Sequence, residues 1–204
     1  MKTGFLGGSF DPIHIGHLVA AQDALEQCAL DRVILVPAAQ APLKPNDVQC
    51  PAADRLAMVR AAVEGDKRFE VSDYELRKGG VSYTIDSARH FKNQFPHEQL
   101  FWIIGGDQLP QLHKWKDIAE LAKLVDFILL ERPGHPAQLH AEIPGLRLRR
   151  CDGHLVEISS TELRARARAG RPLDYLVPHK AVVLIREKGL YLRTPNTTEN
   201  SKPA

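Results

Sequence analysis

Cysteine is scarce in this 204-residue chain, and its three copies, Cys28, Cys50 and Cys151, are widely spaced and odd in number. A disulfide framework and a CxxC zinc site are thereby excluded as organising devices, and free thiols are expected. Long apolar runs are missing as well, so no segment has the length of a membrane span. The opening MKTGFLGGSF carries one lysine and a short apolar stretch before Gly-Gly, unlike a secretory signal, and a cytoplasmic location is expected. An excess of one charge is also lacking. Lysine and arginine total 27 against 25 acidic residues, so the formal net charge of +2 does not call for a nucleic-acid or membrane partner. The motifs GxGxxG and GxxxxGK[ST] are absent, which weakens a dinucleotide-cofactor reading and removes the P-loop. No serine or cysteine nucleophile elbow is present.

The residues that are there alternate between strand-like and helix-like runs. Strands are expected at Lys2–Leu6, Asp31–Pro37, Gly145–Arg150 and His154–Ser159, with a strand running into a loop over Phe69–Leu76, a strand ending in Gly-Gly-Asp over Leu100–Asp107, and a strand and turn over Asp126–Gly134. Helices are expected at Ile15–Ala29, Ala53–Val63, Tyr83–Phe95 (capped by Ser82), Asp117–Leu124, Thr161–Ala169 and Pro178–Lys188. Such alternation predicts an α/β fold, a mainly parallel sheet with helices on both faces, in a single domain over residues 1–192. The polar, aperiodic segment 193–204 is expected to be a disordered tail.

In open parallel sheets ligands bind beyond the carboxyl ends of the strands, so the strand-to-helix loops are where chemistry is sought. The first, GGSFDPIHIGH, leaves a strand through Gly7 and Gly8, which allow a close approach of ligand to backbone. His14 and His17 then sit three apart where a helix begins and its N–H groups and positive dipole end are exposed. This set, with the hydroxyl of Ser9, suits a polyphosphate, and a nearby anion would favour protonated histidines. His-x-x-His is also half of a metal site, but no carboxylate or cysteine cluster completes it, and no protein-held metal is expected. EISSTELRARARAGR places Ser159, Ser160 and Thr161 at another helix entry with Arg164 one turn on: either a second anion site or a plain cap. GGDQLPQLHKWKD ends a strand with Asp107, a candidate ribose acceptor, and carries Trp115, either a stacking platform or a lid on the core edge. GGVSYT puts Thr84 in the first turn of a helix, which suits a small carboxylate or is an ordinary helix start.

GGSFDPIHIGH resembles the HxGH signature of the nucleotidyltransferases, and ISSTELR resembles their ISSTxxR signature. With GGVSYT and GGDQLPQLHKWKD the chain, from about Lys2 to about Tyr191, is similar to the bacterial nicotinate-nucleotide adenylyltransferases. The resemblance implies a Rossmann-like sheet and direct transfer of AMP from ATP to nicotinate mononucleotide in NAD biosynthesis, giving deamido-NAD and pyrophosphate. It also implies Mg²⁺ held mainly by the ATP phosphates. His14, His17 and Arg164 would be the catalytic, charge-stabilising residues. ATP would lie against Gly7, Gly8, Ser9, Phe10, His14, His17, Gly105, Asp107, Ile158, Ser159, Ser160 and Arg164. The mononucleotide would meet Ser9, Lys44, Thr84, Asp107, Trp115 and Lys116, its ring stacking on Trp115. The attacking group would be a phosphate, already anionic near neutral pH, so no side-chain nucleophile is needed. Alternatives are another adenylyltransferase acting on nicotinamide mononucleotide or phosphopantetheine, or a non-catalytic nucleotide sensor. Neither a nucleic acid nor a membrane is an expected partner, and the sequence leaves an oligomer open.

Overall fold

The centre of the molecule is the short strand Lys2–Gly8 (β1), flanked on both sides by parallel neighbours. The structure, a computed structural model, describes residues 1–42, 48–131, 134 and 136–192. The predicted tail 193–204 and Lys44 lie outside the described residues. After β1 come helix α1 (Ile15–Gln27), β2 (Arg32–Pro37), α2 (Ala52–Val63), β3 (Phe69–Val71), the one-turn helix α3 (Tyr74–Lys78) and α4 (Thr84–Gln94). Then follow β4 (Gln99–Gly105), a three-ten helix at Leu109–Lys114, α5 (Ile118–Leu124), β5 (Asp126–Glu131), β6 (Leu148–Asp152), α6 (Ser160–Arg168) and α7 (His179–Glu187). Among the described residues the strands form one parallel sheet in the order β3-β2-β1-β4-β5-β6. This is the Rossmann-like order, and its direction reverses between β1 and β4.

Side-chain alternation decides which helix covers which face. Phe5, Ile34, Val36, Trp102, Ile104, Phe127 and Leu129 point to one side, where α4 supplies Ile85, Ala88 and Phe91 and α5 supplies Leu121 and Ala122. Phe5 pairs in register with Ile34 and Trp102 and stacks on Phe91 with ring centroids 4.4 Å apart. Val33, Phe101, Ile103, Ile128, Leu130 and Cys151 point to the other side, beneath Ala21, Ala24, Leu25 and Cys28 at α1. Leu35 on that face meets Met58 and Val59 of α2, with α6 and α7 packed around them. The three cysteines are buried free thiols.

Some expectations are corrected. His154–Ser159 is not a strand: the backbone leaves β6 when the Gly153 N–H reaches the Glu131 carbonyl, and the His154 N–H then turns to the buried Asp23 carboxylate. The strand expected to begin at Phe69 ends at Val71, and in place of the expected loop Tyr74–Lys78 forms a helix anchored by Glu75, whose buried carboxylate accepts from Ser87 Oγ. Ser82 does not cap α4. Its hydroxyl accepts from the Ala39 N–H while its own N–H donates to the Gln40 carbonyl, stitching the approach to α4 onto the end of β2. No helix among the described residues is long and apolar enough to cross a membrane.

Because Phe5 is fully buried between strand partners and Phe91, Phe5→Ala is expected to destabilise the fold by about 3–5 kcal/mol. Urea unfolding measures this directly, and a loss below about 1 kcal/mol would contradict the packing described.

Candidate active site

The reversal of strand order puts the loops after β1 and β4 on opposite sides of one crevice at the carboxyl edge of the sheet. The loop after β1 is built from behind. The Gly8 carbonyl accepts from the Ala38 N–H at 2.9 Å, and the Ser9 carbonyl accepts from Arg55 Nη1 at 2.5 Å. The Asp11 carbonyl accepts from Arg164 Nη1 at 2.9 Å, and the Pro12 carbonyl accepts from Ser160 Oγ at 2.9 Å. Between them Phe10 adopts a left-handed backbone, φ 46°, held by a ring that is buried in the core and set edge-on to His17. The Asp11 side chain is buried too. It accepts from the Gln49 N–H and the Tyr191 hydroxyl, each at 2.7 Å, and lies 3.8 Å from Arg164 Nη1.

His14 and His17 stack face to face, centroids 3.7 Å apart, at the start of α1. The His14 N–H donates to His17 Nδ1 at 3.2 Å, and the His17 N–H donates to the His14 carbonyl at 3.0 Å. With Nδ1 accepting, neutral His17 carries its proton on Nε2 and can offer it outward. Burial lowers the pKa of His14 to about 4. His17 is held well below its ordinary value, first by burial and then by His14. The pair that sequence reading would protonate beside an anion therefore starts neutral. Gly16 suits a close approach, since a Cβ there would sit 3.1 Å from His14 Nδ1 and would push the ring back by a few tenths of an ångström.

The second motif is brought against the first, but with different work for its side chains. Ser159 caps α6 by accepting from the Glu162 N–H, and Ser160 is tied to Pro12. Arg164, expected on the ATP phosphates, is 2% exposed, and its guanidinium turns inward to the Asp11 carbonyl and to Thr161 Oγ1. Burial against the loop makes it a brace for the turn after β1. The half-buried Ile158 packs in the cluster that also holds Phe10.

Across the crevice, Gly105 ends β4 beneath Asp107, whose Oδ1 would be 2.8 Å from a Cβ at Gly105. Asp107 is exposed beyond the strand end. Trp115 is half-buried, its ring edge-on to Phe127 and packed against the core. Lys116 Nζ lies 4.5 Å from the centre of the Tyr83 ring, and Tyr83 immediately precedes Thr84 at the first turn of α4. The structure thus brings the Thr84 and Trp115–Lys116 segments together, 31 positions apart in chain order between Thr84 and Trp115.

Sequence reading missed Arg55, Tyr191 and Glu75. The signal for Arg55 was its phase: with Met58 and Val59 it forms the buried side of α2 at i, i+3 and i+4. Burial lowers the Arg55 pKa against the opposing pull of Asp11, and burial raises that of Glu75 against hydrogen bonds from Ser87 and Ser82.

Known proteins match this chain over most of its length. A family model described as cytidylyltransferase-like matches residues 5–166. A protein of Opitutus terrae named probable nicotinate-nucleotide adenylyltransferase is 72% identical over 191 residues, covering 94% of this chain and 98% of that protein. One of the same name from Methylacidiphilum infernorum is 38% identical, covering 98% and 96% of the two chains. Among solved structures, the Plasmodium falciparum nicotinic acid mononucleotide adenylyltransferase complexed with NaAD superposes with a TM-score of 0.72 at 19% identity, covering 94% of this chain and 98% of its own. Its complex with APC gives 0.73 at 16%, covering 93% and 96%.

The neutral histidine pair has a consequence for stability. Unfolded histidine titrates near 6.5 and folded His14 near 4, so between these values the unfolded chain holds more protons and stability rises with pH. The contribution, about 3 kcal/mol for His14, is complete above pH 6.5, is lost progressively as pH falls from there, and is gone once pH has passed through 4. Urea midpoints of the wild type and His14→Gln, compared at pH 7.5 and 4.5, are expected to converge at the lower pH. Parallel curves would rule His14 out as the source.

Proposed function

The chain belongs to the cytidylyltransferase-like family, among its nicotinate-nucleotide adenylyltransferases, and from that premise we propose how its residues carry out adenylyl transfer in NAD biosynthesis. A phosphate oxygen of nicotinate mononucleotide attacks the α-phosphorus of ATP. A P–O bond forms there, the bond to the bridging oxygen of the pyrophosphate breaks, and deamido-NAD and pyrophosphate are released. The observation that carries this reading is the stacked His14–His17 pair over a loop whose carbonyls are bonded from behind, at the point where strand order reverses.

ATP lies along Gly7, Gly8, Ser9 and Phe10, with the Nε2–H of His17 and the ring of His14 against charge that develops on the α-phosphate and the departing pyrophosphate. Arg164 acts on the same charge from within the loop, and Ile158, Ser159 and Ser160 set the start of α6 beside the phosphates. Gly105 gives Asp107 room to hold a ribose. The first turn of α4 at Thr84 receives the nicotinate carboxylate, while Trp115 and the Lys116 backbone bound the ring. Catalysis is then alignment of two anions and neutralisation of charge, with no covalent enzyme intermediate.

The donor set suits a metal that arrives with its substrate. No group of three or more His, Cys, Asp or Glu side chains able to hold an ion occurs among the described residues, and Asp11 is engaged by Gln49 and Tyr191. Mg²⁺ would be held by phosphate oxygens and water, and when bound it withdraws charge from the triphosphate.

Pyrophosphate release with ATP and Mg²⁺ tests the reading, with nicotinate mononucleotide, nicotinamide mononucleotide and phosphopantetheine in parallel. Release is expected with nicotinate mononucleotide. Release with another acceptor alone would replace the substrate, and silence with all three in folded, ATP-binding protein would leave a nucleotide sensor. His17→Ala is expected to lower kcat by on the order of 10²–10³ with the fold kept. Trp115→Ala is expected chiefly to raise KM for the mononucleotide, and an unchanged KM would remove the ring contact.

A further inference from the structure

Arg55 has no part in the chemistry described above, yet it is among the most deeply buried charges of the molecule, 1% exposed. It projects from the core side of α2 and spends its guanidinium on two backbone carbonyls, Nη1 on Ser9 at 2.5 Å and Nε on Cys50 at 3.3 Å. The first of these matters because a trans peptide is planar, with its C=O and N–H pointing in opposite directions. Drawing the Ser9 carbonyl back into the protein sends the Phe10 N–H the other way. The preceding peptide is fixed similarly: the Gly8 carbonyl is bonded to the Ala38 N–H, which turns the Ser9 N–H away from β2. Neither the Ser9 nor the Phe10 N–H has a hydrogen-bond partner among the described residues. Consecutive N–H groups beside a left-handed residue, here Phe10 at φ 46°, form a concavity for anions.

We infer that Arg55 is a positioning residue for the polyphosphate: by holding the Ser9 carbonyl inward it keeps the Phe10 N–H directed at the anion, without touching the anion itself. A lysine in its place could bring charge but could not span both carbonyls with a planar fork. The Asp11 carboxylate opposes the lowering of the Arg55 pKa by burial. This inference rests on the proposed phosphate site but not on the identity of the acceptor.

The test uses tripolyphosphate, which reads the anion site alone. Its binding to the wild type, Arg55→Lys and Arg55→Met is measured by calorimetry, with far-ultraviolet dichroism and thermal melts to count folded molecules. Binding per folded molecule is expected to weaken at least fivefold in Arg55→Lys and at least tenfold in Arg55→Met, with kcat falling alongside. A residue that only stabilises the fold would lower the melting temperature and leave this affinity where it was. Either variant binding within twofold of the wild type overturns the inference; should Arg55→Met not fold, Arg55→Lys decides alone. A wild type that binds tripolyphosphate yet transfers nothing to nicotinate mononucleotide would overturn the proposed acceptor and leave Arg55 in place.

Discussion

The orientation of a few peptide groups in the turn after β1 is the constraint on which the rest of the site depends. A backbone turn offers carbonyls and N–H groups in equal measure, and a phosphate is attracted by one and repelled by the other. Here the carbonyls of Gly8, Ser9, Asp11 and Pro12 are each occupied by a donor, from Ala38, Arg55, Arg164 and Ser160. Two of those donors are charged, and hydrogen bonds to charged groups in the interior contribute about 1.5–3 kcal/mol each. Buried arginines that would be a liability alone are tolerated because Asp11, also buried, opposes them. The signature motifs therefore contain two kinds of residue, those that face the ligand and those that hold the facing residues still.

Neutral histidines complete that logic. A permanently protonated pair stacked at 3.7 Å would repel itself and resist burial, whereas neutral rings pack well and still donate from a nitrogen. His17 is held in one tautomer by the His14 backbone, so the donor is prepared before any phosphate arrives. Gly16 lets the His14 ring approach more closely than a Cβ there would ordinarily allow. Preorganisation of this kind places the energetic cost in folding, where core packing supports it, and removes it from the reaction.

Much of this was legible in the sequence. The apolar runs of β1, β2, β4 and β5 announced buried parallel strands, and the concentration of glycine, hydroxyl and histidine after β1 announced an anion loop. What escaped was set by contacts distant in the chain. His154–Ser159 has strand-like composition, but the Asp23 carboxylate captures its backbone and ends the ladder. Ser82 has the sequence of a cap, and a donor on Ala39 claims its oxygen first. Arg164 was legible as a charge at the start of α6, but its bond to the Asp11 carbonyl, 153 positions away, was not. Arg55 hides in a helical pattern because an arginine at a core phase looks like a break in periodicity until its acceptors are known.

The bond from Tyr191 to Asp11 joins residues 180 positions apart, and those from Arg164 and Ser160 to the same turn span 153 and 148. The GGSFDP segment precedes α6 and the residues after α7 in chain order, and it must wait for them before its shape is fixed. The nascent sheet can assemble from β1, β2 and β4 while its ligand-facing edge is still unformed. Contacts of such separation are made late because they close the largest loops. A chain cut before Tyr191 would keep its strands and even α7 but lose the tether to Asp11, so the shape of the turn after β1 would report whether the residues after α7 are in place.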